Sequence, residues 1–159
     1  MGEPVPAVVA GPPPVPFADA AFACCGNDRI RRLVAEYIDL QRALAHDDLA
    51  LAQAEVHAVR GVALAAVEDK DLSAHSRGLS RQVAFLLEPV AQGSLEQIRV
   101  PFAEVSNKLA VLAQANPGGS MQVAVATCSR SNANWLQDSP EVLNPYMGAM
   151  GLSSGTFRR

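Results

Sequence analysis

The segment from Ser94 to Asn116 constrains the fold more than any other part of the chain. Ser94 and Gln97 have the spacing of a capping box, in which each side chain satisfies a free backbone N–H group at the start of a helix. After them, apolar residues recur every seven positions in two interleaved series. This pattern predicts a long helix with one apolar seam. Pro101 lies off the seam, and we expect a kink or a short break there. The two series are Leu95, Phe102 and Leu109, and Ile98, Val105 and Leu112.

Three earlier segments carry a similar three/four spacing of apolar residues. Together with the first, they predict helices at about 28–46, 48–67, 72–92 and 94–116. Asn27 or Asp28 is suited to cap the first helix, and Asp47-Asp48 the second. Pro89 is expected to kink or stop the third helix, because proline lacks the N–H that a helix interior needs.

Four amphipathic helices with short joints predict an all-α domain over residues 28–157, which we expect to be an antiparallel four-helix bundle. An irregular tail, residues 117–157, is expected to pack across it. Within that tail, Met121 to Ala126 alternates weakly and could form a short extended segment. Residues 1–27 are rich in Pro and Ala, which predicts a flexible arm or linker with no part in the core.

Several functional classes lack their sequence signals. The formal net charge is −3 and no run of Lys or Arg exceeds two residues, so no nucleic-acid partner is predicted. No apolar stretch reaches the length of a membrane span, and the N-terminus does not have the pattern of a secretory signal. Phosphate-binding loops, nucleophile elbows and zinc-protease motifs are missing, so we expect no enzymatic activity and no catalytic residues.

The chain has three cysteines: Cys24, Cys25 and Cys128. An odd number leaves at least one of them without a partner in the chain. Adjacent cysteines rarely bridge each other, so two alternatives stay open for Cys24 and Cys25. Both are free thiols in the arm, or one of them pairs with Cys128.

The tail concentrates residues that disordered segments lack. It contains the single Trp, one of two Tyr and two of four Met. Low-hydrophobicity tails rarely hold such residues, because these side chains gain from burial. We therefore expect the tail to fold back onto the helices, with Trp135 and Tyr146 as anchors.

The tail resembles a known family. It reads Cys-Ser-Arg-Ser-Asn-Ala-Asn-Trp-Leu-Gln from Cys128 to Gln137, then Asn144-Pro145-Tyr146-Met147-Gly148 and Leu152-Ser153-Ser154-Gly155. This is similar to an uncharacterised bacterial helical domain found at the C-termini of periplasmic adaptor subunits of heavy-metal (copper/silver) efflux pumps, and as stand-alone exported proteins. The family pattern is Cys-Pro-Met, Trp-Leu, Asn-Pro-Tyr-aromatic-Gly, a Met and Cys-Gly. The resemblance covers about residues 28–157.

The resemblance implies a helical bundle with a packed tail, a periplasmic or exported location, and an efflux adaptor or pump component as partner. It also implies a soft metal ion, Cu(I) or Ag(I), for which thiolate and thioether are the preferred ligands. The residues of this chain that would bind the metal are Cys128, Met147 and Met150. The structural anchors of the tail are Trp135, Asn144, Pro145, Tyr146 and Gly148.

Three positions depart from the family pattern. Arg130 stands where the family has the Met of Cys-Pro-Met, and Ser154 stands where it has its second Cys. The later Met of the family falls near Gly151, with Met150 one position early. Because two soft ligands are replaced, we expect at most weak metal binding. The alternative is a structural or protein-interaction module with no metal role.

Overall fold

The computed structural model describes residues 13–159, and residues 1–12 lie outside the described part. The elements follow one another as five α-helices and four β-strands, with single turns of 3-10 helix at Glu88–Val90 and Gly148–Gly151. The helices are α1 (Phe17–Ala20), α2 (Asp28–Ala45), α3 (Leu49–Val67), α4 (Ala74–Leu87) and α5 (Leu95–Ala115), and the strands are β1 (Phe22–Cys24), β2 (Met121–Cys128), β3 (Ala133–Gln137) and β4 (Thr156–Arg158).

Local signals explain the four long helices. Asn27 caps α2 by accepting from two backbone N–H groups, and Asp48 caps α3 in the same manner with one. Ser94 and Gln97 form both bonds of a capping box at the start of α5. Helices α2, α3 and α5 begin and end within one residue of the predicted bounds. Each of the four long helices contacts the next, and α2 also contacts α5.

The two internal prolines behave differently. Helix α4 ends at Leu87 instead of near Gln92, and Pro89 lies in the 3-10 turn that follows. This agrees with the expectation that Pro89 stops the helix, because its nitrogen cannot donate. Pro101 does not interrupt α5, which is one continuous helix from Leu95 to Ala115. The expected break at Pro101 is therefore not found in the secondary structure.

The predicted fold class, an all-α antiparallel four-helix bundle with an irregular tail, is wrong. The structure is mixed α/β, because the segments Met121–Cys128, Ala133–Gln137 and Thr156–Arg158 join Phe22–Cys24 in a four-stranded antiparallel sheet. The alternation at the start of β2 is a weak local signal. A strand needs partners, and those of β2 come from about a hundred residues earlier and about thirty later in the chain. Patterns within one window do not reveal such pairings.

Strand β2 is the centre of the sheet. Strand β3 pairs with one edge of it, from Ala124↔Gln137 to Cys128↔Ala133. The other edge is shared by β1, which pairs at Phe22↔Val123, and by β4, which pairs at Ala126↔Phe157. Helices α2 and α5 pack against β3. Helices and sheet therefore share one apolar core.

Part of the predicted arm belongs to the folded unit. Residues 17–24 form α1 and β1, and the Phe17 ring packs edge-on against Phe157 with centroids 5.4 Å apart. Val15 donates a backbone hydrogen bond to Phe157. Pairing with β2 gives these residues backbone partners that the Pro-rich composition does not reveal. The rest of the expected arm, residues 1–12, lies outside the described residues.

Among the described residues, one helix is long and apolar enough to cross a membrane by length and composition alone. It is α3, Leu49–Val67. A stripe of it, including Val56 and Val59, is fully buried, and the helix contacts α2 and α4. Core helices of globular domains pass the same test, so this feature carries no assignment to a membrane.

Candidate functional site around Cys128

The predicted metal ligand Cys128 ends β2, at the point where the chain turns towards β3. It is buried, with 2% of its surface exposed, and it is a free thiol. The following residues, 129–132, are exposed and form the turn. Asn132 has a positive φ of 50°, which asparagine tolerates better than most residues. The thiol therefore lies directly beneath a solvent-exposed turn.

Hydrogen-bond donors surround this thiol. Burial by itself raises the pKa of Cys128, but donors outweigh burial and hold the pKa below its ordinary value. The donors are the hydroxyl and N–H of Ser131, the side-chain amide of Asn144 and the N–H of Arg130. Since these groups favour the charged form, they make Cys128 a better nucleophile and metal ligand than a free buried thiol.

Asn144 is fully buried and organises the segment that follows. Its Oδ1 accepts from the backbone N–H groups of Tyr146 and Met147, and its Nδ2 donates to the carbonyl of Ser154 at 2.6 Å. Its own backbone N–H donates to the carbonyl of Leu152. Asn144 thus closes the loop from 144 to 154 and also contacts the Cys128 thiol, so an anchor predicted from sequence takes part in the site.

The two predicted thioether ligands do not lie alike. Met147 is half-buried and packs against the apolar core, with its Cβ facing the Gly151 backbone. Met150 is 97% exposed. A side chain that is almost fully solvated cannot contact a thiol that is 2% exposed. The structure therefore does not bring Met150 to Cys128.

The predicted anchor Trp135 is packed as expected for a buried indole. It is 1% exposed and its Nε1–H donates to Gln137 Oε1 at 2.9 Å. Its ring lies edge-on to Tyr146, with centroids 6.0 Å apart. Gly155 allows this packing, because an added Cβ there would lie 2.6 Å from the indole.

Three hydroxyls join the helices to the sheet beneath the turn. Tyr37 of α2 and Ser106 of α5 lie 2.6 Å apart, and the Tyr37 oxygen accepts from the backbone N–H of Leu136 in β3. Tyr146 donates to the carbonyl of Asn134. Burial raises the pKa of both tyrosines, so both hydroxyls remain protonated donors.

Pro145 and Gly148 are held by a polar clamp, which consists of Asp47 and Arg99. The Arg99 guanidinium donates to Asp47 at 2.6 Å and to the carbonyls of Leu44 and Pro145. Asp47 also accepts from the N–H of Ala149 at 2.9 Å. Gly148 has φ +61° and an added Cβ would collide with the Asp47 carboxylate, which accounts for glycine here.

The clamp was missed by sequence reasoning, which assigned Asp47-Asp48 to a helix cap. Asp48 does cap α3, whereas Asp47 has a positive φ of 56° and contacts the tail. Hydrogen bonds from the Ala149 N–H and then from Arg99 lower the pKa of Asp47. No local pattern pairs Asp47 with a residue a hundred positions later.

A group of three carboxylates lies between α2 and α3. Oxygens of Glu36, Asp39 and Glu55 lie within 4.8 Å of one another, and within the described residues this is the one group of three His, Cys, Asp or Glu side chains that close. Burial, then the contacts with Glu36 and Asp39, raise the pKa of Glu55 to about 7. The buried Oε2 of Glu55 lacks a hydrogen-bond partner. A proton shared with Glu36 satisfies it, so no metal ion is needed here.

An open depression of about 1000 Å³ lies away from Cys128, between the first turns of α2 and the end of α3. Its lining carries both signs of charge, including Arg32, Lys70, Glu68 and Asp71. Binding pockets for small molecules are more enclosed and more apolar than this. The depression is best described as a solvated groove.

The two N-terminal cysteines form a disulfide with each other, Cys24–Cys25, with an S–S distance of 2.05 Å. Both alternatives drawn from sequence, two free thiols or a bond to Cys128, are therefore wrong. The reasoning treated adjacency as an argument against pairing. The signal that remained was the burial that β1 gains by joining the sheet, and this depends on tertiary structure.

No protein-family model, no curated protein and no solved structure matches this chain. The family resemblance drawn from the tail motif therefore stays a prediction that rests on the residues alone.

Proposed function

We propose that this chain is a non-enzymatic accessory domain of the bacterial cell envelope, related to heavy-metal efflux or homeostasis, that binds Cu(I) or Ag(I) weakly through Cys128. The expected partner, from the resemblance, is a periplasmic efflux adaptor or a pump component. The observation that carries the metal role is the set of donors from Ser131, Asn144 and Arg130 that lowers the pKa of the Cys128 thiol.

The chemistry of the ligand explains the choice of metal. A thiolate is the preferred ligand of soft ions, and the ion must displace a proton to bind it. A lowered pKa makes that proton easier to lose near neutral pH. The turn above Cys128 is solvent-exposed, so a small rearrangement of residues 129–132 gives an ion access to the sulfur.

The weakness of the site follows from its second ligands. Arg130 and Ser154 occupy the positions of two soft ligands in the resembled family, and guanidinium and hydroxyl groups are poor ligands for Cu(I). Met150 is in solvent, and Met147 packs against the core. One thiolate with few soft neighbours supports low affinity.

The envelope location has independent support. The Cys24–Cys25 disulfide is stable in an oxidising compartment, and disulfides are rare in the reducing cytosol. This argument does not depend on the tail motif.

The test is a competition between the protein and a coloured Cu(I) chelator in ascorbate, which keeps copper reduced but leaves the disulfide intact. Under these conditions Cys128 is the one thiol of the chain. Cys128→Ser is expected to abolish copper transfer to the protein, whereas Met150→Leu, a change at an exposed thioether, is the matched control and should leave it unchanged. Arg130→Met should tighten binding by adding a thioether in the turn. Equal binding by wild type and Cys128→Ser would refute the metal role.

A second function, a structural or interaction module without metal, is favoured by one observation: Trp135 and Tyr146 lie in the packing between sheet and helices. A melt with and without Ag(I) separates the two functions, because a ligand that binds only the native state raises the melting temperature. An unchanged melting temperature at saturating Ag(I) supports the structural role.

A further inference from the structure

Two adjacent sulfurs lie in the core at the edge of the sheet. Cys24 and Cys25 are 0% and 1% exposed, and they end and follow β1. No role is given to them by the proposed function, which uses Cys128. We propose that this pair, once reduced by a thiol reductant, is a binding site for a trivalent arsenical of the type R–As(OH)₂.

A loop covers the pair. Cys24 pairs with Met121 and forms a backbone bridge with Pro117. An added Cβ at Gly119 would lie 3.1 Å from the carbonyl oxygens of both cysteines, so the backbone of residues 117–119 lies directly against them. Gly118 and Gly119 have positive φ angles of 90° and 78° and are exposed. The cover is therefore a solvated loop that depends on two glycines.

The elements around the pair can open at low cost. Strand β1 has three residues and pairs only with β2, which makes it an edge strand. Short edges and exposed glycine loops are the parts of a fold that open locally before the core does. A small reductant can therefore reach the disulfide without unfolding the helices.

The reduction step is balanced as follows. A dithiol reductant supplies two electrons and two protons, the Cys24–Cys25 S–S bond breaks, and each sulfur takes one proton while the reductant becomes a disulfide. The two sulfurs are then no longer bonded and need more room than the closed pair has. Because both sites are fully buried, this separation pushes against the 117–119 loop and keeps it open.

Binding follows without further redox change. The two thiols of the pair form two As–S bonds with R–As(OH)₂ and release two molecules of water, and arsenic stays trivalent. Trivalent arsenic is pyramidal, so two neighbouring sulfurs suit it, whereas Hg(II) prefers two sulfurs on opposite sides.

The neighbourhood favours a ligand that needs only two thiols. Among the described residues, the single group of three His, Cys, Asp or Glu side chains close enough to share an ion is Glu36, Asp39 and Glu55, and it includes neither cysteine of the pair. A structural zinc site requires four such ligands. The pair therefore fits an arsenical better than zinc.

The first measurement is a thiol count on the untreated full chain by alkylation in denaturant. We expect a single labelled thiol, Cys128, and three labelled thiols after reduction. The second is intact-mass spectrometry after removal of the reductant and addition of phenylarsine oxide, in the presence of a monothiol that removes arsenic held by one sulfur. We expect a single adduct on reduced wild type and none on the untreated protein.

Variants assign the adduct. Cys24→Ser and Cys25→Ser should each lose it, whereas Cys128→Ser is the matched control and should keep it. Three thiols before reduction, no adduct on reduced wild type, or an adduct retained by Cys24→Ser would overturn the proposal. The comparison of reduced and untreated wild type needs no variant, so a misfolded variant does not decide the outcome. Because Cys128→Ser affects only the copper test, the two proposals fail independently.

Discussion

The four long helices and the four-stranded sheet are stabilised over very different distances along the chain. Each long helix is begun by a residue next to it, as Asn27, Asp48, Ser73 and Ser94 do for α2 to α5. The sheet instead joins β1 and β2, which lie about a hundred residues apart. The helices depend on local sequence, and the sheet depends on the folded whole. Residues that connect the two should therefore matter most to stability.

The largest expected effect comes from Trp135→Ala, at the contact between sheet and tail. Removing a fully buried indole is expected to lower the free energy of unfolding by about 3–5 kcal/mol, because a cavity remains. Urea unfolding followed by far-UV circular dichroism measures it. Phe85→Ala is the control, since that ring is 73% exposed and its loss should change stability by less than about 0.5 kcal/mol. Two separate transitions in the variant would show that the sheet is an appendage rather than part of one core.

Tyr37→Phe removes one oxygen between helix and sheet. The buried N–H of Leu136 then lacks an acceptor, so we expect a loss of about 1–3 kcal/mol. Tyr146→Phe is the comparison, because its hydroxyl is less buried, and a smaller loss is expected. If both variants have the same stability as wild type in urea, the hydroxyls do not join the two regions.

Asp47→Asn tests the clamp between α5 and the tail. Asparagine tolerates the positive φ at this position, so the change removes mainly the charge. The pair with Arg99 is partly exposed, and we expect a loss of about 0.2–1 kcal/mol at neutral pH. The control is Asp28→Asn, which breaks a more exposed pair with Arg31 and should cost less.

The pH dependence of the clamp has a defined sign. The folded-state pKa of Asp47 is lowered from 3.8, so its contribution is present above that value and is lost as pH falls through the lower folded-state pKa. The difference between wild type and Asp47→Asn should therefore shrink in acid. A difference that grows below pH 3.8 would contradict this.

Glu55→Gln should have the smallest effect, in the helical region, and with the opposite sign. The pKa of Glu55 is raised from 4.5 to about 7, so the stability that its proton contributes is present below 4.5 and is lost as pH rises through about 7. The variant should be slightly more stable than wild type at about pH 8 and equal to it near pH 4.5, because partial exposure screens the repulsion. Urea midpoints at the two pH values measure it, and a less stable variant at the higher pH would exclude the shared proton.

The site was only partly predictable from the residues. Cys128 was named from its motif, and Asn144 was named as an anchor, but their contact was not anticipated. Met147 and Met150 were chosen by chain distance, which says nothing about the direction in which each side chain points in a loop. Arg99 and Asp47 gave no local signal, because their partners lie in a segment that folds back from far along the chain.

The sequence by itself determined the long helices, because caps and apolar spacing act within a few residues. It also determined that Trp135 would be buried, since a large apolar ring gains most from leaving water. Only the tertiary structure decided that the tail is a sheet and not irregular, that β1 joins it, and that Cys24 bonds to Cys25. The physical reason is that a strand satisfies its backbone groups on another strand, and the identity of that strand depends on where the whole chain has placed it.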